Sequence, residues 1–521
     1  MKRLFLAFLA GAASATGFAP LSLWPLTLVA LALLIALTLN VDRMRSAFAT
    51  GWMFGFGHFL VGLNWIAMAF TFQSAMPTWL GWVGVFIAAF YLAIFPALAT
   101  MLAWRIGKGS PAMFIFLFAA AWIVTEYLRA TILFSFGWNP LAAITMADMG
   151  SGDFQNALPA AARWIGSYGV SGLVILLSGA LLLLFRKRYA AASFAALMPA
   201  IGFCIGFADL QISSQRQWVR DTPTAESRID RGPAIRIVQP NINQNEKWDP
   251  ELAALNFRRL TERTGVTGDR PRLIFWPEAA VPDFIEDDPL ARFRIAQLLG
   301  PDDILLLGAS KLIWEDMEDG RRRAVGARNS LYAVDATGDV LGRYDKAHLV
   351  PYGEYVPMRP LMEVIGLSRL APGDLDFWPG PGPQSFNLPG FGTVGGQICY
   401  EIVFSGEVID AANRPDFLFN PSNDAWFGAW GPPQHLAQAR LRAIEEAMPI
   451  IRSTPTGISA VIDAQGAVTH HIPYHEAGTI DTALPRAGAP TLFSRFGNLL
   501  PLLFALTLAG LAFALGRRAR Y

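Results

Sequence analysis

Apolar runs of about twenty residues recur through the first two-fifths of the chain, and nothing else limits its architecture so strongly. A helix needs roughly 20 apolar residues to cross the ~30 Å hydrocarbon layer of a bilayer. Such runs stand near residues 4–19, 22–40, 46–68, 79–104, 112–133, 165–186 and 189–208, with one more at 496–515. The pattern predicts a multi-pass α-helical membrane bundle of eight spans, seven within residues 1–210 and the eighth at 496–515. Only 16% of the 521 residues are charged, where soluble proteins carry about 25%. The acids are also confined: nearly all Asp and Glu lie between residues 215 and 482. The chain divides into a membrane part and a soluble part.

Basic residues orient the bundle, because loops rich in Lys and Arg stay in the cytoplasm. Lys2 and Arg3 precede the first run, and Arg43 and Arg45 follow the second. Arg105 and Lys108 follow the fourth, Arg186 to Arg188 the sixth, and Arg517, Arg518 and Arg520 the last. The alternate loops, Ala19 to Pro25 and Thr71 to Pro77, carry none. With eight spans every cluster falls on one side. Both termini are then cytoplasmic, and residues 209–495 lie on the external face. Met1 to Ala15 also has the basic start, apolar run and Ala-Ser-Ala of a cleaved signal, although a further span follows at once, which favours its retention. Within the spans His58, Asn64, Glu126 and Arg129 stand out as polar. Glu126 and Arg129, three apart, share a helix face and could pair.

Residues 211–232 are polar and predict a linker. From 233 to 490 short β runs alternate with turns and helical spacings. Strands are expected at Ile235–Val238, Leu273–Trp276, Ile304–Gly308, Ser330–Val334, Val340–Tyr344, Gly392–Ile398, Phe417–Asn420, Ile450–Thr454 and Gly457–Ile462. Helices are expected at Glu251–Thr264, Leu290–Leu299 and Gln434–Ala447, and hairpin turns at Ala336-Thr337-Gly338 and Ala464-Gln465-Gly466. This is an α/β external domain, layered on sheets.

Three residues of this domain stand where strands end. Cys399, in Gly395-Gly396-Gln397-Ile398-Cys399-Tyr400-Glu401, follows two glycines that allow a tight bend or close approach. A lone Cys among apolar residues also suits plain packing. Glu278 follows Trp276-Pro277, where proline stops the strand. Lys346 follows Tyr344-Asp345. A carboxylate base beside a thiol gives an activated nucleophile. A lysine near both steadies the thiolate and then the oxyanion of an attacked carbonyl.

Glu, Lys and Cys in these settings resemble the carbon–nitrogen hydrolase (nitrilase) superfamily, which uses that triad in an αββα sandwich. Asp345-Lys346-Ala347-His348-Leu349-Val350-Pro351-Tyr352-Gly353-Glu354-Tyr355-Val356-Pro357, Ser422-Asn423-Asp424-Ala425-Trp426-Phe427-Gly428 and the flanking spans resemble the bacterial apolipoprotein N-acyltransferase family. Pro421 and Pro455-Thr456 depart from its pattern, in loops that the resemblance makes substrate-lining. The resemblance implies that Cys399 is the nucleophile, Glu278 the general base and Lys346 the stabiliser of the tetrahedral intermediate. It makes Glu354 and Glu401 supporting acids and Trp248 a substrate-handling residue; Tyr400 and Trp426 are further candidates for substrate contact, and an aromatic in these settings suits the core equally. The implied activity is N-acylation of the S-diacylglyceryl-cysteine of an apolipoprotein, with a phospholipid such as phosphatidylethanolamine as donor. Its setting would be the bacterial inner membrane, in a monomer with the domain in the periplasm. There an unpaired Cys399 suits reactivity better than structure.

The triad alone is equally consistent with a membrane-tethered amidase that uses water as acceptor. A transporter with a ligand-binding domain would need more charges inside its spans than this chain has. No basic tract points to nucleic acid, and neither metal nor cofactor is expected. The scattered histidines, His348 and His435 among them, suit structural hydrogen bonds. The apolar run Leu361–Leu370 with Pro372-Gly373, Phe377 and Trp378 suits either a loop dipping into the membrane interface or a buried segment.

Overall fold

In a computed structural model of the chain, residues 1–72, 77–132, 134–146, 153–221, 232–268, 270–356 and 375–518 are described. Residues 222–231 of the expected linker and the run 361–370 with Pro372 and Gly373 lie outside them. Among the described residues five helical stretches are long and apolar enough to cross a bilayer: Leu80–Gly107, Pro111–Thr131, Ala162–Phe185, Tyr189–Ile212 and Leu499–Gly516. A sixth is possible if Met44–Gly62 and Ile66–Phe72, bent by 47° at a short break, count as one span. Lys2–Ala15 and Trp24–Leu39 have 14 and 16 residues. At ~1.5 Å per residue both fall short of the hydrocarbon thickness, yet both pack into the same bundle core. Close backbone approach makes this packing possible. A Cβ on Gly11 would lie 1.9 Å from the Phe54 carbonyl oxygen, and one on Gly57 2.2 Å from that of Phe8. The last helix before the sheets, Tyr189–Asp221, is helical through residues 211–221 of the expected linker.

Glu126 and Arg129 each hold the segment that follows their helix. Arg129 donates to the Trp138 and Asn139 carbonyls at 2.7 and 3.3 Å, and Glu126 accepts from the Leu141 amide at 2.7 Å. This segment, with its short turn Leu141–Met146, leads on to the helix Asp153–Ala160.

Among the described residues the domain that follows the bundle holds twelve strands: β1 (Ala234–Gln239), β2 (Arg272–Phe275), β3 (Ile304–Asp316), β4 (Arg322–Asp335), β5 (Val340–Asp345), β6 (Ser385–Leu388), β7 (Gly392–Gly396), β8 (Phe417–Pro421), β9 (Ile450–Ser453), β10 (Ser459–Ile462), β11 (Val468–Ile472) and β12 (Gly478–Ala483). They form two six-stranded sheets, ordered β12-β1-β2-β3-β4-β5 and β11-β10-β9-β8-β7-β6. In each, three central strands run parallel and the flanking pairs are antiparallel. The two faces of the first sheet bury alternate residues. Ile235, Ile237, Leu273, Phe275 and Leu306 pack toward the second sheet, where Phe275 meets Phe417 and Phe419 at ring distances of 6.1 and 4.8 Å. Val238, Ile274, Trp276 and Leu305 pack with Leu260 and Ile295 of the helices Ala253–Thr264 and Pro289–Ala296. Helix Gly431–Glu446 covers the second sheet, so the layers run α, β, β, α. Burial on both faces produces the unbroken apolar runs of the central strands.

The strands not foreseen, β6, β11 and β12, lie at sheet edges, where water on one side removes the apolar alternation. The distal β3–β4 hairpin was missed for the same reason; its residues turn from buried to exposed along β3.

Candidate active site

Each parallel core sends one chemical residue from its carboxyl end. Beyond β2, the Trp276 amide still donates to Leu306 and the Gly308 amide to Pro277, at 2.9 and 3.2 Å. Glu278 is thereby held against β3, and the next residue, Ala279, takes a left-handed φ of 44°. Lys346 continues β5, its amide donating to the Asn329 carbonyl at 2.9 Å. Cys399 follows β7 after the Gln397 amide bonds Phe419 at 3.0 Å. It opens a short 3-10 turn, Cys399–Val403, with a left-handed φ of 53°. Gly396 permits this route, since a Cβ there would lie 2.5 Å from the Tyr344 ring.

The Cys399 turn is fastened from below. Its carbonyl can only accept, so His435 Nε2 donates to it at 3.0 Å. Arg452 can only donate, so His435 Nδ1 accepts from it at 2.9 Å. Burial, then Arg452, keeps this imidazole below its ordinary value and neutral. Asp424 accepts from Arg452 Nη2; despite its burial, Arg452 holds its carboxyl below the usual range. Glu401 accepts four donors: Tyr344 Oη at 2.8 Å and the amides of Ala347, His348 and Ile398 at 2.7, 3.1 and 2.7 Å. It ties the Lys346 segment to the Cys399 segment across the two sheets.

Lys346, 1% exposed, sits among carboxylates. Its Nζ lies 2.9 Å from Glu354 Oε1 and 3.9 Å from Glu278 Oε1. Burial opposes its charge, but Glu354 and then Glu278 outweigh that and raise the ammonium above its ordinary value. Asn329 Nδ2 bridges the two carboxylates, donating to Glu278 at 2.7 Å and Glu354 at 2.9 Å. Glu278 Oε2 has no hydrogen-bond partner among the described residues. Burial, then Glu278, pushes the Cys399 thiol well up, with Lys346 opposing them. A neutral thiol, a carboxylate with one free oxygen and a fixed cation are thus within electrostatic reach of one another. That set can take a proton from the sulfur and steady an oxyanion.

A cavity of about 440 Å³ opens beside Glu278, lined by Trp248, Lys247, Phe257, Pro277 and Ala279 among others. Trp248 is 41% exposed on its wall. Tyr400 and Trp426 face the membrane helices instead. Tyr400 stacks on Trp138 at 6.3 Å, and Trp426 meets Phe72 at 5.7 Å. Phe377 and Trp378 lie along β4 at Ala327, the Trp378 amide donating to its carbonyl at 2.7 Å. Sequence reasoning missed Asn329 and Lys247 as parts of the site. Asn329 left no trace, standing between Arg328 and Ser330 just ahead of the expected strand.

The profile described as apolipoprotein N-acyltransferase N-terminal domain matches residues 10–180, and that of carbon–nitrogen hydrolase residues 234–490. An apolipoprotein N-acyltransferase of Rhodopseudomonas palustris is 33% identical, covering 96% of this chain and 92% of its own. One from Rhizobium rhizogenes is 34% identical over 93% of this chain and 90% of its own. Among solved structures, Nit3 of Saccharomyces cerevisiae, of nitrilase branch 10, is 17% identical over 49% of this chain and 90% of its own. Its TM-score is 0.33.

Proposed function

The chain belongs to the apolipoprotein N-acyltransferase family, and from this premise we propose that it moves a phospholipid acyl chain onto the N-terminal S-diacylglyceryl-cysteine of lipoproteins, the last step of their maturation. The observation that carries the reading is the meeting of Cys399 with Glu278 and Lys346, the last two 3.9 Å apart, in one buried site. In the first half-reaction Glu278 takes the thiol proton as Cys399 Sγ attacks the ester carbonyl carbon. Lys346 steadies the oxyanion, the carbon–oxygen bond breaks, and the proton passes to the leaving alkoxide, releasing a lysophospholipid. In the second, the amine of the lipid-modified cysteine attacks the thioester carbon and gives a proton to Glu278. The carbon–sulfur bond breaks, and that proton returns to the thiolate. Glu354 orients Lys346, and Glu401 braces the Cys399 turn. A thioester splits one hard transfer into two easier ones, with ping-pong kinetics.

Eight spans, cytoplasmic termini and a periplasmic domain at the inner membrane suit this chemistry, because both lipid-anchored substrates would reach the enzyme within one leaflet. The test is intact mass after incubation with phosphatidylethanolamine vesicles, wild type beside Cys399→Ala. Wild type should gain an acyl mass that neutral hydroxylamine removes and that a diacylglyceryl-cysteine peptide takes up; the mutant should gain none. Acylation of the peptide without any adduct would overturn the covalent route. Absence of both adduct and acylated peptide would favour a membrane-tethered amidase instead.

A further inference from the structure

We propose that Lys247 is a positioning residue of this site: its ammonium fastens the turn that carries Glu278 and supplies a second positive charge beside the nucleophile. The inference rests on the acyl-transfer reading above. Lys247 ends the single-turn helix Gln244–Lys247, and its Nζ donates to the Glu278 backbone carbonyl at 2.8 Å. The same Nζ lies 5.6 Å from the Trp248 ring centroid, and Lys247 shares with Glu278 the wall of the 440 Å³ cavity. The hydrogen bond falls one residue before Ala279, whose left-handed backbone needs outside support.

Charge balance supports the same role. Glu278, Glu354 and Glu401 bring three carboxylates to the buried site and Lys346 one cation, while Asp424 beside Cys399 is offset by Arg452, so a thiolate on Cys399 would add to an existing excess of negative charge. Uncompensated buried charge is costly, and Lys247 offsets it. Burial lowers Lys247 to about 8, against the opposing pull of Glu278 and Cys399. The other charges around it are already paired. Arg294 and Asp283 meet at 2.8 Å on the cavity wall, Arg259 and Glu246 meet at 2.7 Å beside the turn, and Lys346 and Glu354 lie beyond Glu278.

The test follows the rate of acyl-enzyme formation by intact mass, in phosphatidylethanolamine vesicles, from about pH 5.5 to 9, for wild type, Lys247→Met and Lys247→Arg. A cation favours the ionised forms of its neighbours, so its removal raises the pH at which the site loses its proton. Lys247→Met should form the adduct about tenfold or more slowly, with the acid limb of the profile moved up by about one unit. Lys247→Arg should restore the limb's position. A Lys247→Met protein with the wild-type rate and profile would overturn the proposal. So would one that is slower but keeps the limb in place, since a merely structural defect lowers the amplitude alone. Absence of an adduct in wild type would instead refute the thioester reading, and this inference with it.

Discussion

Cys399 rests as a neutral thiol and ionises only as it reacts. Burial and the neighbouring Glu278 push it well above its ordinary value of 9.0, and Lys346 offsets only part of that. A group with a raised value stays protonated until the pH exceeds it. In a Cys204→Ala background, alkylation of Cys399 by iodoacetamide should therefore still be climbing at pH 9.0. A plateau near neutrality would mean a preformed thiolate and a different resting state. At this scale the sequence was legible wherever a chemical residue sits beside a strand end or inside a dense local motif. Glu278, Lys346, Glu354, Cys399 and Glu401 all do. Asn329 does not: it reaches Glu278 from 51 residues away and Glu354 from 25. Lys247 is hidden likewise, because a lysine beside an exposed tryptophan has the look of an ordinary surface residue until the fold turns its ammonium toward Glu278.

Helix Gly431–Glu446 joins the two parts of the protein. It is buried along nearly its whole length, with the second sheet on one side and the membrane helices on the other. Gln434 accepts from Trp138 Nε1 and Asn139 Nδ2, both at 2.9 Å, and Glu445 accepts from the Ser167 amide at 2.6 Å. Through His435 the same helix holds the Cys399 carbonyl, so one element links the bundle to the nucleophile. Its helical spacing was evident, but the burial of its polar side was not. Trp138 and Asn139 stand nearly 300 residues earlier, in a segment that hydropathy treats as a mere connection. β7 offers a sharper test. Gly396→Ala would drive a Cβ to within 2.5 Å of the Tyr344 ring, and Tyr344 donates to Glu401. We expect a loss of about 1–3 kcal/mol in stability, typical of overpacking, together with a slower acyl-enzyme step as Glu401 loses its register. Melting and adduct-formation rates measure the two effects. A variant that melts lower but forms the adduct at the wild-type rate would show that Tyr344 and Glu401 support the fold alone.

The whole molecule is organised by the separation of charge from apolar length. Every basic cluster flanking the apolar runs falls on one side of an eight-span topology. A fluorescent protein fused after the helix Leu499–Arg518 should therefore fluoresce in cells, while alkaline phosphatase at the same point stays inactive. The reverse result would place the catalytic domain in the cytoplasm, away from its proposed substrates. By itself the sequence determined the division into an apolar helical part and a mixed α/β part, the order of helices and central strands, and the residues that end those strands. These follow from hydropathy over about twenty residues, from periods of 2 and 3.6, and from turn chemistry, all of which act locally along the chain. Tertiary structure alone decided that the first two apolar runs make short helices and that the third is bent. It also paired Glu126 and Arg129 with a folded-back segment, placed β6, β11 and β12 at the edges, and set Asn329, Lys247 and His435 around the nucleophile. Those outcomes depend on which distant groups meet and which faces remain in water, and residues that meet only after the sheets stack leave no periodic trace in the sequence.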